Sequence, residues 1–156
     1  MLSNEAQELS ELLIANGLTI SVAESCTGGS LSRALTSIPG ASSYFECGYI
    51  TYSNQSKVEM LGVDTQTIKT YGAVSEEVAL EMVIGVITKS HSDVAVSITG
   101  VAGPTGGTPE KPVGMVCFGF FYDGKTSTTT QLFSGDRVSI VSQSVSYALK
   151  QLSLKF

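Results

Sequence analysis

Hydrophobic and polar positions along the chain follow two periods, and the order in which those periods change predicts a mixed α/β protein. In residues 3–16, Ala6, Leu9 and Leu13 recur at i, i+3 and i+7, one face of a helix. Ser3 can cap that helix and Asn16-Gly17 stops it. LTISVA (18–23) then reads as a strand, ESCTGG (24–29) as a glycine-containing turn, and residues 30–37 as a helix ended by Ile38-Pro39-Gly40. GYITYS (48–53) predicts a second strand. Asn54 is placed to cap a short helix through Met60 closed by Gly62, and a further helical piece follows Asp64. From Ser75 the run SEEVALEMVIGVITK has acids in its first turn and Lys89 in its last, the strongest helix signal in the chain. Residues 93–98 predict a third strand, 100–112 a long loop, and 113–122 and 126–133 two strands joined at Asp123-Gly124, a hairpin signal. Asp136 is placed to cap a last helix over 137–152.

Helices and strands alternate through the first two-thirds, and a hairpin follows. The first strand can pair in parallel with both the second and the third through crossover helices, which gives strand order 2-1-3-4-5 with strand 4 antiparallel. In such a sheet the chain runs outward in opposite directions from strands 1 and 3, leaving a crevice at their carboxyl ends. Three loops converge there: ESCTGG, TYSNQSK and TGVAGPTGG.

Composition narrows the class. The chain has 156 residues, with 42% hydrophobic and 15% charged, which suits one compact domain over 1–156 and excludes a disordered one. Lys plus Arg number 9 against 14 acids, for a net charge of −5, so there is no basic stripe for nucleic acid. Arg33 and Arg137 are the two arginines. Cys26, Cys47 and Cys117 are odd in number and far apart, which argues against a disulfide framework or a structural zinc site, and all three read as core residues. The acidic start MLSNEAQELSELL lacks the basic region of a signal peptide, and no run reaches the ~18 apolar residues of a membrane span. The expectation is a cytoplasmic protein with no metal and no membrane partner.

The converging loops offer candidate chemistry. Ser25 lies where a strand becomes a helix, Gly28 and Gly29 let backbone approach a ligand, and a helix start presents unpaired N–H groups to a phosphate or oxyanion. The same features also suit a plain capping turn. The single histidine, His91, falls at the opposite edge of the sheet, which argues against a Ser-His-Asp triad. Lys57, near the start of the third helix, is an alternative base if burial lowers its proton affinity, and Tyr52 at the strand end could relay a proton. Both also suit a surface lysine and a half-buried tyrosine. Cys26 is a rival nucleophile, although adjacent residues leaving a strand tend to face opposite sides. The glycine-rich loop after strand 3 lacks the Lys-Ser/Thr of a Walker A motif, and Arg137 at a helix start is the better placed arginine for a phosphate.

In order, VAESCTGG, PGASSYFECGYITYSNQSK, LGV, YGAVSEEVALEM, SITGVAGPTGG, KPVG and SGDR resemble the CinA C-terminal domain family from about Val22 to Arg137, and more weakly toward both ends. The length is similar to the family's stand-alone form. The resemblance implies a three-layer α/β/α sandwich, commonly oligomeric, that hydrolyses the carboxamide of nicotinamide mononucleotide (NMN) to nicotinate mononucleotide and ammonia in pyridine-nucleotide recycling, without a cofactor. By motif it implies Ser25 as nucleophile, with Tyr52 and Lys57 in proton transfer. Thr27, Gly28 and Gly29 would hold the oxyanion or ligand, Gly100, Val101, Ala102 and Gly103 would line the nucleotide, and Arg137 would meet the phosphate. Cys47 stands where relatives often carry a small or basic residue. A non-catalytic nucleotide-binding or protein-interaction module of the same family is the alternative.

Overall fold

Among the described residues five strands form one sheet in the order β2-β1-β3-β4-β5, and six α-helices cover its two faces. The computed structural model of the chain describes residues 2–156. In chain order the elements are α1 (Leu2–Asn16), β1 (Ile20–Glu24), α2 (Ser30–Thr36), β2 (Phe45–Ile50), α3 (Asn54–Leu61), α4 (Thr65–Tyr71), α5 (Glu76–Ser90), β3 (Val94–Gly100), β4 (Met115–Tyr122), β5 (Lys125–Leu132) and α6 (Arg137–Ser153). β1 pairs in parallel with β2 and β3, β4 runs antiparallel, and β5 returns antiparallel to β4. This is the mixed, mostly parallel sheet expected from the sequence.

Side-chain alternation builds the layers. In β3, Val94, Val96 and Ile98 join the core beneath α1, α2 and α6, while Ala95 faces the smaller core beneath α3 and α5. β4 does the same, with Val116, Phe118 and Phe120 on the first side. On the second side, a Cβ at Gly119 would stand 2.5 Å from the Ala79 carbonyl, so the missing side chain lets α5 lie close to the strand. β5 is threonine-rich, and its Thr128 and Thr130 hydroxyls donate to the Glu76 carboxylate at the start of α5. Among the described residues no helix is long and apolar enough to cross a membrane.

Several boundaries differ from the sequence reading. β2 spans 45–50 instead of 48–53, because Phe45 already pairs with Ile20 and the strand ends opposite Glu24. Ser53, not Asn54, caps α3: its hydroxyl accepts from the Ser56 amide, and the Ser56 hydroxyl accepts from the Ser53 amide in return. Lys57 is therefore the fourth helical residue. Cys47 is half-buried on the outermost strand, whereas Cys26 and Cys117 lie in the interior. Asp64, Ser75 and Asp136 cap α4, α5 and α6. His91 closes α5 with φ 58°, at the end of the sheet where the strands begin. The cap expected of Ser3 falls on a side chain outside the described ones.

Candidate active site

β1 delivers Ser25 at its carboxyl end, and the Ser25 amide donates to the Ile98 carbonyl at 2.9 Å, so the residue is still tied to β3 as the chain turns. On the other side, the Thr51 amide donates to the Glu24 carbonyl at 2.9 Å and ends the pairing with β2. The chain then enters α3 through the Ser53 cap, and its first turn sends Lys57 back under the sheet edge. Lys57 Nζ lies 2.9 Å from Ser25 Oγ and donates to the Thr51 carbonyl at 2.9 Å. Lys57 is 1% exposed and Ser25 8%. Burial lowers the proton affinity of this amine, with the neighbouring Cys26 thiol opposing weakly. A neutral amine here keeps one N–H on the Thr51 carbonyl and turns its lone pair to the Ser25 hydroxyl, which then donates.

The turn after Ser25 is held by Glu24. This wholly buried carboxylate accepts from the Leu31 and Ser32 amides at 2.8 and 2.9 Å and from the Ser32 hydroxyl at 2.7 Å. It caps α2, whose own N-cap, Gly29, has no side chain to do so. The first amides of α2 are thus committed to protein, and the Gly28 amide donates to the Ser25 carbonyl. Among the described residues the Cys26, Thr27 and Gly29 amides have no acceptor.

Ser25 opens into a cavity of about 300 Å³. Ser25, Cys26, Lys57 and Thr99 form its buried floor, and Ala73 and Val74, which precede α5, close one wall. The last residue of β3, Gly100, and the loop after it, with Val101, Ala102, Gly103, Thr105 and Gly106, supply another wall. The Thr99 hydroxyl donates to the Ala73 carbonyl at 2.9 Å and joins two of these walls. Exposed Tyr52, Asn54 and Arg137 stand at the mouth. Cys26 shares the cavity with Ser25, contrary to the expectation that the two face opposite sides, because the residues here turn instead of continuing as a strand. Burial pushes the Cys26 thiol up to about 12, far from the thiolate a cysteine nucleophile needs.

Over residues 2–156 the sequence matches the family described as CinA C-terminal domain. The chain belongs to this family. This CinA domain is 46% identical over 161 residues to nicotinamide-nucleotide amidohydrolase PncC of Escherichia coli, spanning 100% of this chain and 98% of that protein. It is 47% identical over 150 residues to the PncC of Enterobacter agglomerans, spanning 96% and 92%. A competence-damaged protein (CinA) superfamily structure from Klebsiella pneumoniae superposes with a TM-score of 0.96 at 34% identity, covering 99% of this chain and 97% of that one.

Within this CinA domain the site residues named from the sequence separate into two groups. Ser25, Tyr52, Lys57, Gly100, Val101, Ala102, Gly103 and Arg137 all line the cavity. Thr27, Gly28 and Gly29 lie behind Ser25, outside the lining. Thr27 is 3% exposed and its hydroxyl is unpartnered among the described residues. The Tyr52 hydroxyl accepts from Arg137 Nη2 at 2.7 Å, and Arg137 Nη1 donates to the Gly103 carbonyl at 2.7 Å. The sequence reading missed Glu24, Asn54, Ala73 and Thr99. For Glu24 a signal was present, since α2 starts after two glycines without a capping side chain of its own.

Proposed function

We propose that the protein is an amidase that hydrolyses the carboxamide of NMN to nicotinate mononucleotide and ammonia, with Ser25 as nucleophile and Lys57 as general base. The contact that carries this reading is the 2.9 Å approach of a buried, carboxylate-free amine to the Ser25 hydroxyl at the floor of a cavity. In the resting site Lys57 is neutral and accepts the Ser25 proton as Oγ attacks the amide carbon. The tetrahedral oxyanion forms beside the amide of Cys26, which follows Ser25, lines the cavity and has no acceptor among the described residues; a donor of this kind is typically worth about 3 kcal/mol. The Lys57 ammonium then returns its proton to the amide nitrogen, the C–N bond breaks and ammonia leaves. Water, deprotonated by the same amine, attacks the acyl-serine and releases the acid and the Ser25 hydroxyl. Every step uses groups of this chain, and protons balance through Lys57 alone. The 46–47% identity, over nearly the whole chain, to proteins named nicotinamide-nucleotide amidohydrolase PncC supports the substrate; in our reading the reaction belongs to pyridine-nucleotide recycling.

The test is ammonia release from NMN by purified protein. Ser25→Ala and Lys57→Ala are each expected to lower kcat at least about a thousandfold, as removal of either member of a nucleophile–base pair does. Retention of full activity in either variant would overturn the assignment. NMN bound without ammonia release by the unaltered protein would instead select a non-catalytic nucleotide-binding module.

A further inference from the structure

Arg137 reaches the cavity mouth from the first residue of α6, and two contacts fix its guanidinium. Nη1 donates to the Gly103 carbonyl in the loop after β3, and Nη2 donates to the Tyr52 hydroxyl just beyond β2, both at 2.7 Å. These partners are 34 and 85 residues away in sequence, so one planar group joins three separate segments around the opening. An arginine has five N–H donors, and two are used, which leaves three for a ligand. Asp136, its chain neighbour, is turned onto the Ser139 amide at 2.8 Å. Among the described residues no carboxylate lines this cavity. In a chain of net charge −5 the guanidinium is therefore the local attraction an anion needs.

Tyr52 stands apart from the reacting pair. It is 59% exposed, and its hydroxyl is engaged by Arg137, while Lys57 meets Ser25 directly. A proton moving from Ser25 to Lys57 has no gap for a phenol to bridge. We propose that Tyr52 is a positioning residue for the anionic end of the substrate: with the Gly103 carbonyl it holds the Arg137 guanidinium across the mouth, where the remaining N–H groups take the phosphate of a mononucleotide. This rests on the amidase reading for the identity of the ligand and departs from the expectation that Tyr52 transfers protons. The held fork favours the phosphorylated nucleoside over the same nucleoside without phosphate, because a preorganised guanidinium loses little freedom when the anion arrives.

The experiment compares Tyr52→Phe with unaltered protein in turnover and in binding. In turnover, KM for NMN is expected to rise about five- to tenfold, with kcat within about threefold and an unshifted pH profile, the pattern of lost ground-state binding. Binding is measured by calorimetry in a Ser25→Ala background. Tyr52→Phe is expected to weaken NMN by a similar factor and to leave the phosphate-free nucleoside unchanged. In an Arg137→Ala background the same substitution is expected to change kcat/KM for NMN by less than twofold. A hundredfold fall in kcat at unchanged KM, equal weakening of nucleotide and nucleoside, or an undiminished effect without Arg137 overturns the proposal. If the unaltered protein releases no ammonia, the amidase reading falls while calorimetry still decides this one. Absence of mononucleotide binding overturns both.

Discussion

A lysine side chain that loses its water and gains no carboxylate resists protonation, and Lys57 is in that position at the end of a four-carbon stem packed into the protein. The consequence for rate has a definite sign. The base must be neutral, so kcat/KM is expected to climb with pH through a value below the 10.5 of a free lysine and then level off. Rates measured from pH 6 to 10 check this, and a profile that falls across that range would contradict it. Stability carries the same sign. Between the folded value and 10.5 the unfolded chain binds the extra proton, so stability rises with pH across that window. Lys57→Met is expected to abolish activity and to raise the urea midpoint at pH 7, since it removes a poorly solvated amine from the interior. Cys26→Ala is expected to keep activity within about threefold while losing about 1 kcal/mol of stability, because its thiol fills space and is held protonated. The sequence named Ser25 and Lys57 from turn position and helix position. Burial of Lys57 was not legible, because a lysine in a first helical turn is solvated unless the neighbouring strand ends cover it, and that depends on how α3 seats against β1 and β2.

At the level of elements, close approach and capping decide what the local sequence leaves open. Gly85 sits inside α5, where alanine would ordinarily favour the helix by about 1 kcal/mol. A Cβ there would collide with the Leu61 carbonyl at the end of α3, the helix that carries Lys57. Gly85→Ala is expected to cost about 2 kcal/mol in chemical denaturation and to lower kcat by displacing α3; a more stable variant would show that the helices can separate freely. Glu24 makes a parallel case. Glu24→Ala leaves the Leu31 and Ser32 amides without an acceptor and is expected to cost about 3 kcal/mol, with Glu24→Gln losing less because one oxygen remains. The cap at Asp136, the helix starts at Asp64 and Ser75, and the hairpin at Asp123-Gly124 were readable because each depends on residues within four positions. The start of β2 was not. Phe-Glu-Cys alternates half-buried and exposed on an edge strand, and only pairing of Phe45 with Ile20 marks it as sheet.

For the molecule as a whole, the strand order divides the work between two regions. The switch between β1 and β3 gathers Ser25, Lys57 and the loop after β3 at one rim, and the order 2-1-3-4-5 was legible because crossover rules leave few alternatives once helices and strands alternate. The bridge from Tyr52 through Arg137 to Gly103 was not legible, since no local pattern relates residues 85 apart. Farther across the sheet, Glu76 ties α5 to β5. The Thr128 and Thr130 hydroxyls hold its carboxyl below the ordinary 4.5, against a smaller opposing effect of burial. Its contribution is therefore present above pH 4.5 and fades as acid titrates the folded group. Urea midpoints of Glu76→Gln are expected to fall short of the unaltered protein at pH 7 and to approach it at pH 3. The hairpin itself turns through Asp123 and Gly124, at φ 52° and 72°, at the opposite end of β4 from the loop that lines the cavity. That corner is accordingly a natural port for grafting: an affinity tag or fluorescent peptide spliced between those two residues leaves the reaction chamber untouched, and gives the protein a handle by which nucleotide capture can be watched from outside.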